Sequence, residues 1–420
     1  MNAGVGASLS LLLRALSMGG KFLLMLVVAR LFSLEELGQF ALVGATVSLG
    51  VYVAGLDFYN FAIREMLHAG PRERERMILD QFRVYLANYA LAPLLLTLVF
   101  ASGVLDWRWA PLTYLLLLAE HASQELVRLL VATGAPLRAG VVLFLRSASW
   151  AYLAIPVVTV SPEFRHAAFL LGSWLVMSTG AVILGAVLLG GVHWSRLLSP
   201  PQSIKWIARG MRVALPFLAA TLALRAIFTL DRYVLEWTAS TALVGVYGLY
   251  LAFGTVLVAI VDAAVVQMQY PKLVALANDN MWPQFRRALR IFAVSVLACI
   301  AAVLGLALLL ANPLFALLAK PEFHDHLDAF WILLGAHALL CASQVPHFAL
   351  YALNRDRWII AGHVVPLLVF LGLVIVSGTN LDLSMMAVAI AISMGAMFVV
   401  KYAGLHGRIP QASGTGSTNV

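Results

Sequence analysis

The sequence predicts an all-α, polytopic membrane protein with about twelve transmembrane helices, and three observations lead there. Of 420 residues, 62% are hydrophobic and 11% charged, whereas soluble domains run at roughly 45–50% apolar and about 25% charged. A soluble fold could not cover that much apolar surface with so few charges. The apolar residues fall in continuous runs of about the 20 residues that a spanning helix needs. The basic residues, finally, collect in alternate loops. Barrel strands are excluded, because they are about ten residues long and alternate in polarity.

In chain order the spans read 8–31, 36–57, 82–105, 109–131, 139–160, 166–190, 213–236, 242–266, 288–310, 327–351, 358–378 and 384–403. Arg14 and Lys21 interrupt the first, and another span follows at once, so it does not read as a cleaved signal. One alternate set of loops holds Arg64, Arg72, Arg74, Arg76, Arg138, Arg196, Lys205, Arg209, Arg212, Lys272, Arg286, Arg287, Arg290, Arg355, Arg357, Lys401 and Arg408. The opposite set holds Arg30, Arg108, Arg165 and Lys320. Cytoplasmic loops carry the Lys/Arg excess, so the first set and both termini are expected inside the cell. The tail, 404–420, is rich in Gly, Ser and Thr and is expected to be disordered. Cys299 and Cys341 lie in apolar runs and imply no disulfide framework.

Function is bounded by the loops. None exceeds about 25 residues, which leaves no room for a soluble catalytic or nucleotide-binding domain. No G-x-x-x-x-G-K-[ST] loop, Ser/His/Asp arrangement or paired-carboxylate pattern stands out, and an enzyme is not expected. Glu322, His324, Asp325, His326 and Asp328 crowd one outer loop and read as a solvated loop rather than a metal site. His337, His347 and His363 lie inside spans and read first as packed side chains. Pro93, Pro216, Pro346 and Pro366 are expected to kink their helices.

Six spans precede the basic stretch near 196–212 and six follow it. Leu37-Gly38-Gln39-Phe40 opens the second span and Val244-Gly245-Val246-Tyr247 the eighth, 207 positions apart. The expected organisation is therefore an N-terminal bundle over 1–195, a linker over 196–212 and a C-terminal bundle over 213–403. Halves with an even span count share one orientation, the parallel-repeat arrangement of some transporters.

Charges inside spans carry the functional expectation, because each costs about 2.5–3.5 kcal/mol at the bilayer centre. Arg14, Lys21, Arg146 and Arg225 have no acid within four residues on their own spans. Arg14 and Lys21 are two helical turns apart and share a face. Either a water-filled cavity or acids on neighbouring helices must receive these four. A cavity lined by unpaired cations suits an anion, and the planar Arg fork suits phosphate. Glu125 and Arg128 are candidates for a pair on one helix, and Asp231, Arg232 and Asp262 for ion pairing or for coupling to H+ or Na+. Arg83 lies near a span end and is expected to snorkel to the interface.

Val27-Val28-Ala29-Arg30-Leu31-Phe32-Ser33-Leu34-Glu35-Glu36-Leu37-Gly38-Gln39-Phe40 resembles the first-to-second-span junction of the lipid-linked oligosaccharide flippases. These polysaccharide biosynthesis membrane proteins belong to the multidrug/oligosaccharidyl-lipid/polysaccharide superfamily. Ala214-Leu215-Pro216-Phe217, Leu230-Asp231-Arg232-Tyr233, Val244-Gly245-Val246-Tyr247 and Tyr270-Pro271-Lys272-Leu273 repeat the resemblance. It implies two six-helix bundles around a central cavity in the inner membrane. The implied cargo is a polyprenyl-pyrophosphate-linked glycan for O-antigen, capsule or exopolysaccharide, with the membrane lipid and a polysaccharide polymerase complex as partners. Arg14, Lys21, Asp231 and Arg232 stand at places where the family carries a basic residue or an Asp-basic pair. Two rival readings are a multidrug or cation antiporter of the same superfamily and a membrane polysaccharide polymerase or ligase.

Overall fold

The computed structural model describes the backbone of residues 3–406 and every side chain within it except those of residues 3–11, Arg14 and Leu95. Among the described residues there are helices and turns and no strand. Twelve helical segments of spanning length follow one another: α1 (Ala3–Leu31), α2 (Leu34–Gly55), α3 (Pro71–Ala101), α4 (Ala110–Ala132), α5 (Pro136–Val160), α6 (Ala167–Leu189), α7 (Ile204–Thr238), α8 (Thr241–Asn278), α9 (Trp282–Leu318), α10 (Leu327–Ala352), α11 (Asp356–Ser377) and α12 (Leu383–Leu405). Each coincides with one of the apolar runs. The tail expected to be disordered lies outside the described residues from 407 onward.

Local chemistry sets the helix starts. Ser33 accepts from the backbone N–H of Glu36 at 3.2 Å, the first half of a capping box. Ser203 caps α7 and Asp382 caps α12 in the same way. At the other end of α2, Leu56 and Asp57 take φ of +52° and +50°. Two successive left-handed residues without glycine turn the chain sharply into a short helix, Tyr59–Met66.

The chain forms two compact units, Met1–Gly248 and Leu249–Val420. In the first, α2 is largely enclosed, with α3, α4, α6 and α7 packed against it. α7 is not straight: Phe228 has φ −81° and ψ 18°, and Arg232 Nη1 donates to the Phe228 carbonyl at 2.6 Å. The non-helical residue of α7 is thus Phe228 and not Pro216. In the second unit, α12 packs along α10 and α11, and α9 is the most exposed helix.

The stretch between α6 and α7 is fastened down. Asp80 on α3 accepts from the backbone N–H groups of Gln202 (3.0 Å) and Ser203 (3.1 Å). Arg83 Nη1 donates to Asp80 at 2.5 Å, while its other nitrogens donate to the carbonyls of Arg196 (2.6 Å) and Leu197 (3.1 Å). Glu75 accepts from His193 through both backbone (3.0 Å) and ring (2.7 Å). Arg83 therefore does not snorkel to solvent; it is buried in this strap. Of 196–212, residues from Ile204 onward are already the first turns of α7.

Candidate functional site

The charged residues of the spans gather in the first unit around α4. The i, i+5 spacing of Glu120 and Glu125 turns the two carboxylates toward different neighbours, and both are buried. Glu120 accepts from Ser178 Oγ at 2.6 Å and from Trp174 Nε1 at 2.9 Å, both on α6, and forms an ion pair with Arg146 of α5. Arg146 sits in a single π-helical turn, Leu145–Ser149, that widens α5. Such turns are rare inside α-helices and often occur at functional sites. The pair answers one expectation directly: the acid that receives Arg146 comes from the preceding helix.

Glu125 holds a second knot. Arg128 pairs with it one turn along α4, Tyr85 Oη donates to it at 2.8 Å and Gln81 Nε2 at 3.1 Å. Arg128 also lies over the Tyr59 ring, 3.6 Å from its centroid, a cation–π contact that compensates part of its desolvation. His121 is buried beside this knot and accepts or donates at Tyr89 Oη, 2.6 Å away.

Lys21 and Arg225 differ from Arg146. Both are exposed, and neither is in ion-pair contact with a carboxylate among the described residues. Lys21 on α1 feels the charges of Glu120 and Arg146. Arg225 on α7 lies over the Tyr52 ring at 4.8 Å and acts on Asp57, which accepts from Thr221 Oγ1 at 2.6 Å. Arg14 is on α1, and its side chain lies outside the described residues. Three carboxylates, Asp57, Glu120 and Glu125, thus stand among four described cations, Lys21, Arg128, Arg146 and Arg225.

Asp231 is buried at the α7–α8 corner. It accepts from Tyr247 Oη at 2.8 Å and from the Arg232 backbone N–H at 2.7 Å, with the Arg232 guanidinium at 4.0 Å. Those bonds make it a fastening between α7 and the start of α8. Asp262 opens another π-helical turn, Asp262–Val266 on α8, and accepts from Gln267 Nε2 at 2.6 Å. No cluster of three or more His, Cys, Asp and Glu side chains able to hold a metal occurs among the described residues. Sequence reading missed Trp174, Ser178 and Thr221, because a lone serine, threonine or tryptophan in an apolar run carries no signal until its helix neighbour is known.

This helix order, with buried ion pairs inside it, defines a multi-pass membrane protein with the fold of the MOP-superfamily transporters. An inward-facing multidrug resistance MATE family transporter of that superfamily is similar with a TM-score of 0.71 and 14% identity, over 96% of this chain and 98% of that chain. Lipid II flippase MurJ, in an inward closed conformation, is similar with a TM-score of 0.67 and 11% identity, over 96% and 87%. The MATE multidrug transporter DinF-BH in complex with R6G gives 0.62 and 15%, over 96% of each. No family model matches the sequence, and no curated protein matches it. At such identities the likeness is one of fold.

Proposed function

We propose that the chain is a flippase that carries a polyprenyl-pyrophosphate-linked oligosaccharide from the cytoplasmic to the outer leaflet by alternating access. Its two six-helix halves would rock about a central cavity, with both termini in the cytoplasm of a cell whose inner membrane it spans. The observation that carries the reading is the pair Lys21 and Arg225: two exposed cations on membrane helices, neither in ion-pair contact with an acid among the described residues. Lipid cannot receive them cheaply, so they face water, and a water-filled lumen lined by cations takes anions. Lys21 and Arg225 hold the pyrophosphate, joined by Arg14 from the face it shares with Lys21. Glu120 sets the direction of Arg146, the fourth cation of this reading.

The membrane potential assists. A pyrophosphate carries about two negative charges, and each is worth about 2.3 kcal/mol per 100 mV. Outward movement from an inside-negative cytoplasm therefore gains at most about 4–5 kcal/mol. The cationic residues that stay with the protein do not reduce that gain; any that move with the cargo do.

A multidrug exporter is the second reading, and a specific observation favours it. Asp57, Glu120 and Glu125 offer carboxylates in the same unit, as an exporter of cations needs. Deletion followed by extraction of lipid-linked intermediates separates the readings. Complete repeat units retained on the cytoplasmic side support the flippase, and unpolymerised units outside point to a polymerase or ligase. Unchanged glycolipids with lowered tolerance to cationic drugs identify the exporter.

A further inference from the structure

The turn that ends α2 stands between two arginine–tyrosine stacks. Arg225 of α7 lies over the Tyr52 ring, 4.8 Å from its centroid, and Arg128 of α4 lies over the Tyr59 ring at 3.6 Å. Between the two tyrosines, Leu56 and Asp57 hold left-handed φ without glycine. Residues in that region persist where their surroundings fix them, and they collect at ligand clamps. What fixes this turn is Thr221, one helical turn before Arg225, whose Oγ1 donates to Asp57 Oδ2 at 2.6 Å.

Polar capacity is left over here. Asp57 is 3% exposed, and its Oδ1 has no hydrogen-bond partner among the described residues. The phenol oxygens of Tyr52 and Tyr59 make no hydrogen bond among them either, and both side chains are partly exposed. Arg225 is exposed, and Glu125 engages one nitrogen of Arg128. Buried polar groups are almost always paired. A carboxylate oxygen, two hydroxyls and the remaining guanidinium nitrogens therefore suit a ligand that both donates and accepts.

Charge decides which ligand. Arg128, Arg225 and Glu125 all act on Asp57, so two cations and two carboxylates balance around this turn. Around Lys21 the balance differs, since Lys21 and Arg146 share Glu120. An anion brought to the turn meets Asp57 and Glu125, a cation meets two guanidinium groups already seated on the rings, and neither gains. A sugar hydroxyl donates and accepts at once, and neighbouring hydroxyls match a carboxylate oxygen beside a guanidinium. We propose that Tyr52, Asp57, Tyr59 and Arg128 form a subsite for a neutral sugar, bordered by Arg225, and that it reads the sugar linked to the pyrophosphate. Thr221 is a positioning residue, because it holds Asp57 in place. The assignment rests on the flippase reading, in which Arg225 holds that pyrophosphate.

The test is calorimetric titration of the full-length protein in lipid nanodiscs. The probes are geranyl pyrophosphate and the same molecule carrying glucose, galactose or N-acetylglucosamine on its terminal phosphate. At least one glycosylated probe should bind the wild type about tenfold or more tightly than geranyl pyrophosphate, the worth of one hydrogen bond to a charged group. Asp57→Asn keeps an oxygen for Thr221, and Tyr59→Phe keeps the ring under Arg128. Each should cut that preference at least fivefold while changing the affinity for geranyl pyrophosphate less than twofold. A ratio of two affinities on one folded protein is not moved by a merely structural role. If Asp57→Asn does not fold, Tyr59→Phe carries the test. A wild type that binds all the probes alike, or variants that keep the full preference, overturn the subsite and leave the flippase reading standing. Glycosylated probes bound through Asp57 and Tyr59, with Arg225→Gln without effect on any probe, keep the subsite and remove Arg225 from the pyrophosphate. No binding of any probe overturns both. Binding of tetraphenylphosphonium that is lost in Asp57→Asn gives the cluster to a cation and overturns the sugar.

Discussion

Gly38 and Gly245 pack against each other's helix starts in a reciprocal contact. A Cβ on Gly38 would stand 1.9 Å from the Thr241 carbonyl oxygen, and a Cβ on Gly245 would stand 2.3 Å from that of Leu34. Leu34 opens α2 and Thr241 opens α8, so each glycine makes room for the residue equivalent to its partner's own helix start. The offset between equivalent positions is 207 in both cases. Such mutual contact is what a two-fold relation between repeats requires, since residue i meets j where j meets i. Both obstacles are backbone oxygens, which cannot swing aside. Gly38→Ala and Gly245→Ala should each cost about 1–3 kcal/mol, the range for overpacking a tight contact. Thermal unfolding of the purified variants in detergent measures this, and equal losses at the two sites are the expected sign of the symmetry.

Asp231 of α7 and Tyr247, in the repeated motif that opens α8, bond to each other at 2.8 Å. A structural fastening predicts that Asp231→Asn and Tyr247→Phe each destabilise by about 1–3 kcal/mol, the range for a buried group left without its partner. The double variant should cost less than the sum. A coupling role would instead leave stability intact and alter the pH dependence of transport. A double-mutant cycle by thermal unfolding, run beside a transport assay, separates the two.

How much of this was legible beforehand depended on range along the chain. The twelve spans follow from run length alone, and bilayer thickness sets that length. The repeated glycines were visible as a motif, but their mutual contact was not, since nothing in a motif says what it touches. Arg146 and Glu120 are 26 positions apart on different helices, and only the packing of α4 on α5 brings them together. Arg83 is a different failure. Asp80 stands three residues earlier on the same helix, so the pair was readable, and the nearby span end drew the reading toward snorkelling instead. The bend of α7 at Phe228 had no proline to announce it.

Glu120 and Arg146 should behave as a unit. Removing one partner of a buried pair leaves an uncompensated charge, at a cost of about 3–5 kcal/mol, whereas removing both is far milder. Glu120→Gln and Arg146→Gln should therefore each lower the unfolding temperature more than Glu120→Gln/Arg146→Gln does. A double variant as unstable as the sum of the singles would show that the two side chains do not act on each other.

Lys21→Gln and Arg225→Gln are expected to do the opposite: unfolding should stay within about 0.5 kcal/mol of the wild type, as for surface positions. Export of the glycan should fall at least tenfold. Complementation of a deletion strain, scored as surface polysaccharide on cells with equal amounts of membrane-inserted protein, checks both halves. Unchanged export in both variants would remove the cationic site from the flippase reading.

The strap between α6 and α7 offers a last measurement, because Arg83 holds the carbonyl of the Arg196–Leu197 peptide bond with one nitrogen and that of the following bond with another. Trypsin cleaves after arginine, and the Arg196 side chain is exposed at 61%. What protects the bond is therefore the pinned backbone and not concealment of the side chain, since a protease must draw the chain into an extended form. Asp80→Asn removes the charge that orients Arg83 and weakens the anchor for the N–H groups of Gln202 and Ser203. Cleavage at Arg196 should accelerate at least tenfold. Glu75→Gln disturbs His193 and a 4.0 Å pair with Arg196, whose side chains are 64% and 61% exposed, and exposed pairs contribute about 0–1 kcal/mol. It should change the rate less than threefold. The ratio of the two rates, read from the appearance of the fragment ending at Arg196, thus reports whether the Asp80–Arg83 pair is what seats the start of α7 on α3.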